Sequence, residues 1–244
     1  MKTMKHYILS LVFLFILPQA VEAQIEPVRR NNNAGKSQPT APTSTSICPD
    51  ANHPHIIDLG LPSGIKWACC NVGASKPEDY GDMFAWGETN TKSSYGWNTY
   101  RWCNGSYNSL TKYNTDSRDG TVDNRKQLDY TDDAARARWG SSWRIPTHDE
   151  MRELENNCTY EWTIINGVKG GKFTSRVNGR SVFLPAAGCL RNASLDNRGE
   201  DGCYWSASLN KSIPTNAMGL VFDLDEVGAY FEYRYYGRSV RPVH

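Results

Sequence analysis

Residues 202–243 read GCYWSASLNKSIPTNAMGLVFDLDEVGAYFEYRYYGRSVRPV, and their pattern sets the fold class expected of the whole chain. Three runs, 204–209, 217–224 and 229–236, predict strands. Leu220 and Phe222, then Phe231, Tyr233 and Tyr235, recur at every second position, the period of a strand that buries one face. Turn-forming segments at 210–216 and 225–228 separate the runs, so antiparallel hairpins are the simplest arrangement. The other face, polar and aromatic, places adaptable contact chemistry on a rigid frame.

Working outward, the segment before this array also reads as strands, over 161–165, 171–177 and 181–185. Helix signals precede them. Thr131 is placed to cap a helix over 132–138, with acids at its start, Arg136 and Arg138 near its end and Gly140 as its stop. Thr147-His148-Asp149-Glu150 is a T-x-x-E capping box opening a helix to about Asn157, with Met151 and Leu154 on one face. Two short strands, 56–61 and 65–68, flank the turn Pro62-Ser63-Gly64, and 84–88 is a further buried piece. The expected fold is therefore α+β, with two helices packed on mostly antiparallel strands. Residues 89–127 lack periodicity, and Trp97, Tyr100, Trp102, Tyr107 and Tyr113 are expected to pack this long loop down.

The chain has 244 residues, 39% of them hydrophobic, which is enough for one sizeable core. Its 27 Lys and Arg against 26 Asp and Glu leave no basic surplus to hold a nucleic-acid backbone. Lys2 and Lys5, an apolar run over 7–17 and Val21-Glu22-Ala23 predict a signal peptide over 1–23 and hence export, to the periplasm, cell surface or medium. Residues 24–54, rich in Asn, Ser, Thr and Pro, read as a disordered linker, either a spacer or a leader remnant. The folded domain is expected over 55–244. No later stretch is apolar enough to cross a membrane.

DLGLPSGIKWACCNVGA (58–74), FAWGET (84–89), DDAARARWGSSWRIPTHDEM (132–151), FLPAAG (183–188), YWSAS (204–208) and GRSVRPV (237–243) resemble the major paralogous domain family of exported Bacteroidota and Fibrobacter proteins. The resemblance runs over nearly all of 56–243. It implies a C-type-lectin-like fold of the formylglycine-generating-enzyme type, related to variable proteins of diversity-generating retroelements, which display changeable residues near the C-terminus. It also bears on the seven cysteines, which in an exported chain suggest disulfides with one thiol left over. Cys70, Cys103 and Cys158 match family positions. Cys189 and Cys203 stand where the family suggests other residues, and their joint presence implies that they bond each other. Cys69 is the expected leftover thiol.

With core and frame removed, the ligand-facing candidates are Asn210, Lys211, Asp225, Glu226, Tyr230, Glu232 and Tyr233. Tyr, Asn and Asp suit a recognition surface because Tyr brings contact area with few rotatable bonds and Asn brings flexible hydrogen bonding. A solvated edge strand, in which Tyr only follows β preference, is the competing reading. Trp139, Trp143 and Trp205 read as core, and Arg144 and Arg241 as structural donors. The expected function is adhesin-like binding of a protein or glycan, or assembly into a surface fibre or envelope complex.

Catalysis is not expected. The formylglycine-generating relatives use a cysteine pair near their C-terminal motif, and no Cys follows Trp205 here. His148, His53, His55 and His244 adjoin no nucleophile motif, and adjacent Cys69 and Cys70 lack C-x-x-C order. Asp223, Asp225 and Glu226 read as a solvated turn rather than a calcium site. The expectation is therefore no enzyme activity, no cofactor and no metal.

Overall fold

In the computed structural model, the described residues are 48 and 55–244. The expected signal peptide, and the expected linker apart from Cys48, lie outside them. Cys48 itself is 1% exposed and packs in the domain core, seven residues before the boundary read from composition.

The chain first makes a hairpin. Strand β1 (Ile56–Asp58) pairs antiparallel with β2 (Lys66–Ala68), Ile56 opposite Ala68 and Asp58 opposite Lys66, around the turn in which the Gly64 N–H donates to the Leu61 carbonyl. After β3 (Met83–Phe84), residues 89–127 form the long loop, with Tyr100 and Tyr113 buried as its anchors.

Helix α1 (Ala134–Trp139) starts later than the sequence suggests, and its cap is Asp133, not Thr131. The reason is that the Asp133 carboxylate serves two donors at once, accepting from Arg136 N at 3.1 Å and from Ile145 N at 2.8 Å. Helix α2 (His148–Asn157) has the expected capping box: Glu150 N donates to Thr147 Oγ1 and Thr147 N donates to Glu150 Oε2. Met151 and Leu154 are buried beneath it.

A three-stranded antiparallel meander follows, β4 (Cys158–Ile165), β5 (Val168–Ser175) and β6 (Ser181–Pro185). A small ribbon, β7 (Cys189–Arg191) with β8 (Ser194–Asp196), was not apparent from the sequence. The terminal array then completes the main sheet with β9 (Gly202–Leu209), β10 (Asn216–Phe222), β11 (Val227–Tyr233) and β12 (Arg238–Ser239), in the order β11-β10-β9-β12-β3. All its pairings are antiparallel except β9 with β12. Gly202 opens β9 because a Cβ there would lie 1.9 Å from the Phe222 ring, so only glycine fits. The domain is thus α+β, two helices packed against mostly antiparallel sheets.

Two expectations for the array need correction. The third strand ends at Tyr233 rather than running to 236, because Arg234 turns inward to full burial and the Tyr236 N–H closes a turn onto the Tyr233 carbonyl. Leu220 and Phe222 are buried as their spacing predicts, but Phe231 and Tyr233 are 50% and 42% exposed. They sit on the last strand of the sheet, where no further strand lies alongside.

Trp139, Trp143 and Trp205 are core residues, as expected. The indole N–H of Trp205 donates to the Phe84 carbonyl at 2.8 Å, and that of Trp86 to the Ser206 carbonyl at 2.8 Å, so the sheet and the loop strands are joined through satisfied aromatics. Truncating one such side chain costs about 3–5 kcal/mol.

Candidate functional site

The hairpin arm does not bring the seven ligand-facing candidates into one place. The seven residues of β11 span about 20 Å. Asp225 and Glu226 lie at the turn before it, where Glu226 accepts from the Tyr230 hydroxyl at 2.9 Å. Asn210, Lys211 and Tyr233 lie at the opposite end. Asn210 shapes its own turn, its side-chain oxygen accepting from Ser212 N and Ile213 N at 3.0 and 3.1 Å. Tyr230 and Glu232 leave one face of β11 and Tyr233 the other. Glu232 is drawn toward buried Arg238 at 3.7 Å. None of Tyr230, Glu232 and Tyr233 is buried.

Tyr233 belongs to a site that reaches into the long loop. Its ring stacks on Tyr235 at 5.6 Å and meets Trp97 edge-on at 6.0 Å, and Trp97 in turn meets Tyr235 at 4.9 Å. Beside this cluster a cleft of about 390 Å³ is walled by Trp97, Tyr107 and Tyr233, with Asp116, Arg118 and Asp119 contributing charge. Arg118 holds the Asp116 carboxyl down to about 2 through side-chain and backbone hydrogen bonds, so that carboxylate stays charged. Burial, with the Asp116 charge beside it, pushes the Asp119 carboxyl upward. The volume and the mix of aromatic walls with a few polar groups match a small-ligand site. Sequence reasoning missed the loop half because its aromatics follow no period.

Cys189 and Cys203 are buried free thiols, each of which shifts the other's proton affinity. The Cys203 thiol, helped by Arg238 and Arg191 and opposed by burial, holds the Cys189 thiol down to about 7.

The cysteines at the other side of the core overturn the expectation of no metal chemistry and no enzyme activity. The ligand atoms of Cys48, His55 and Cys69 all lie within 4.8 Å of one another, close enough to chelate a metal ion. Cys69 Sγ is 3.6 Å from His55 Nδ1, and the Cys48 thiol donates to the Ser75 carbonyl at 3.4 Å. Cys69 is therefore part of a constellation rather than a leftover thiol. The β1–β2 register assembles it: Ile56 faces Ala68, and the next pair outward is His55 with Cys69, whose N–H donates to the His55 carbonyl at 3.1 Å. Cys70 touches both neighbouring sulfurs, and those contacts together with burial push its thiol far up. Buried Arg241 donates to the Cys69 carbonyl at 2.8 Å. Cys69 also lines a second cleft, of about 650 Å³, bordered by Ile56, Asp58, Lys172, Arg180 and Phe183.

No family model matches the chain, no curated protein matches it, and no solved structure matches its fold. Among the described residues no helix is long and apolar enough to cross a membrane.

Proposed function

We propose that this chain is an exported recognition module whose Trp97–Tyr107–Tyr233 cleft engages a glycan or a protein segment outside the cytoplasm. The observation that carries the reading is Tyr233, held 42% exposed at the cleft wall by Trp97 and Tyr235 instead of folding into the core. Rings fixed by their neighbours bind at low entropic cost, because little side-chain freedom remains to be lost. Asp116 and Arg118 add directional hydrogen bonding beside them. The signal-like segment over 1–23 and the resemblance of 56–243 to the major paralogous domain family support the export and the recognition role.

The test is a glycan and surface-protein array probed with the full chain, then with the Trp97→Ala and Tyr233→Ala variants. Capture by the wild type, lost in both variants while melting stays within a few degrees, supports the reading. Equal capture by all three proteins would remove the cleft from it.

One feature favours assembly as a second reading. Strand β11 is an edge strand with Phe231 and Tyr233 exposed, and such an edge can pair with another copy of itself. In that case Phe231→Lys shrinks the particle measured by light scattering, whereas ligand recognition through the cleft leaves it unchanged.

A further inference from the structure

The three donors on the β1–β2 hairpin side of the core have the chemistry of a transition-metal site. Two thiolates and an imidazole are a soft set that selects ions such as Zn²⁺ over Mg²⁺ or Ca²⁺, which take oxygen ligands. The spacing fits as well. With Zn–S near 2.3 Å and Zn–N near 2.0–2.1 Å, the S-to-N edge of a tetrahedron comes to about 3.5 Å. Cys69 Sγ and His55 Nδ1 stand 3.6 Å apart, and the remaining pairs fall within 4.8 Å, so small side-chain rotations close the shell. The scaffold is prepared for it: His55 and Cys69 are held as cross-strand neighbours by a backbone hydrogen bond, and Cys48 is buried against them. The guanidinium of Arg241, fixed on the Ala68 and Cys69 carbonyls, offsets part of the charge of two thiolates.

We infer that Cys48, His55 and Cys69 bind one Zn²⁺ ion, with the fourth coordination position left to an exchangeable ligand such as water. Both thiols give up their protons to solvent as the ion enters. Three protein ligands with one open position is the arrangement found in catalytic rather than purely structural zinc sites. Cys69 lines the 650 Å³ cleft, which gives that position a neighbouring space for a small molecule. The site shares no residue with the Trp97–Tyr233 cleft, so the two readings fail or hold separately.

The full chain, purified under reducing conditions, is titrated with Co²⁺ and then with Zn²⁺ in competition with a chromophoric chelator. One equivalent of Co²⁺ should give a thiolate-to-metal charge-transfer band and tetrahedral ligand-field bands, both erased by one equivalent of Zn²⁺. Each of Cys48→Ser, His55→Gln and Cys69→Ser should weaken binding by more than the roughly 10–100-fold typical of losing an outer-shell partner. Cys158→Ser should bind as the wild type does, and Cys70→Ser, at the sulfur beside both ligand thiols, should still bind one equivalent. Because Cys48 and Cys69 are core residues, circular dichroism of each variant without metal establishes that it is folded. In the wild type, Zn²⁺ should also raise the melting temperature, as any ligand of the native state does. Absence of stoichiometric binding in the wild type, retention of full affinity in the three ligand variants, or a Cys48–Cys69 disulfide in the protein recovered from export would each overturn the site. Loss of binding in Cys70→Ser would overturn the open fourth position.

Discussion

Arg234 Nε donates to the Tyr100 hydroxyl at 2.9 Å, fully buried, across 134 residues of sequence. Its other nitrogens donate to the carbonyls of Tyr113, Pro214 and Lys112 at 2.8, 2.9 and 3.0 Å. One guanidinium therefore fastens the end of β11 to two points within the aromatic loop, Tyr100 and Lys112–Tyr113, and to Pro214 in the turn between β9 and β10. Tyr233, the residue before Arg234, walls the Trp97–Tyr233 cleft, and so does Pro214, whose carbonyl the guanidinium holds. Arg234→Lys keeps the charge but lacks the planar fork, leaving buried carbonyls without donors at about 1–3 kcal/mol each. The expected result is a loss of about 3 kcal/mol or more in denaturant unfolding, and new proteolytic cleavage within 89–127.

Asp133 is the hinge between α1 and the chain that enters α2. Its two oxygens take one N–H each, from Arg136 and Ile145. Asp133→Ala loses both and should cost about 2 kcal/mol or somewhat more, since a cap alone is worth about 0.5–2. Asp133→Asn restores only one acceptor, so its urea midpoint should fall between those of the wild type and the Ala variant.

Arg144 grips Glu150 with two parallel hydrogen bonds of 2.7 and 2.5 Å, while Glu150 also caps α2. Burial raises the Glu150 carboxyl, but Arg144 and Thr147 together outweigh it and hold it below its ordinary 4.5. The native state therefore binds the proton less readily than the unfolded chain. The resulting stability is present above the ordinary value and disappears as pH falls through the lower, folded one. Glu150→Gln keeps the cap and removes the charge. Melting curves of wild type and variant should be well separated near neutrality and converge in acid.

The Cys189 thiol is held below its ordinary range chiefly by Cys203, so of the two it is the one expected to attack a disulfide. Oxidised glutathione, added above neutral pH, should convert the two thiols to a disulfide as two molecules of reduced glutathione are released. Intact mass should fall by two hydrogens, and peptide mapping should join 189 to 203. Closing so short a loop raises stability by about 3 kcal/mol. A product linking either cysteine elsewhere would contradict the pairing.

Much of the local structure was legible in advance for local reasons. The T-x-x-E box and the Met151–Leu154 spacing announce α2, because a helix end is capped by residues within one turn of it. Leu220 and Phe222 alternate into the core as strand residues should. The β1–β2 hairpin was within reach too, although a turn centred on Ser63 would set His55 opposite Asn71, and only the observed register, centred on Pro62, sets it opposite Cys69. Cys48 was out of reach, because it lies in a stretch whose composition reads as linker.

From the residues alone come the α+β class, the two helices, the tryptophan core and the antiparallel array, all of which depend on short-range periodicity and capping. The tertiary structure decided that β11 is an edge strand, so alternation there exposes Phe231 and Tyr233 instead of burying them. It also decided that Trp97 meets Tyr233 and that Cys48 joins His55 and Cys69. Those are encounters between segments far apart in sequence. They depend on which surfaces the packed core leaves side by side, and no local period encodes that choice.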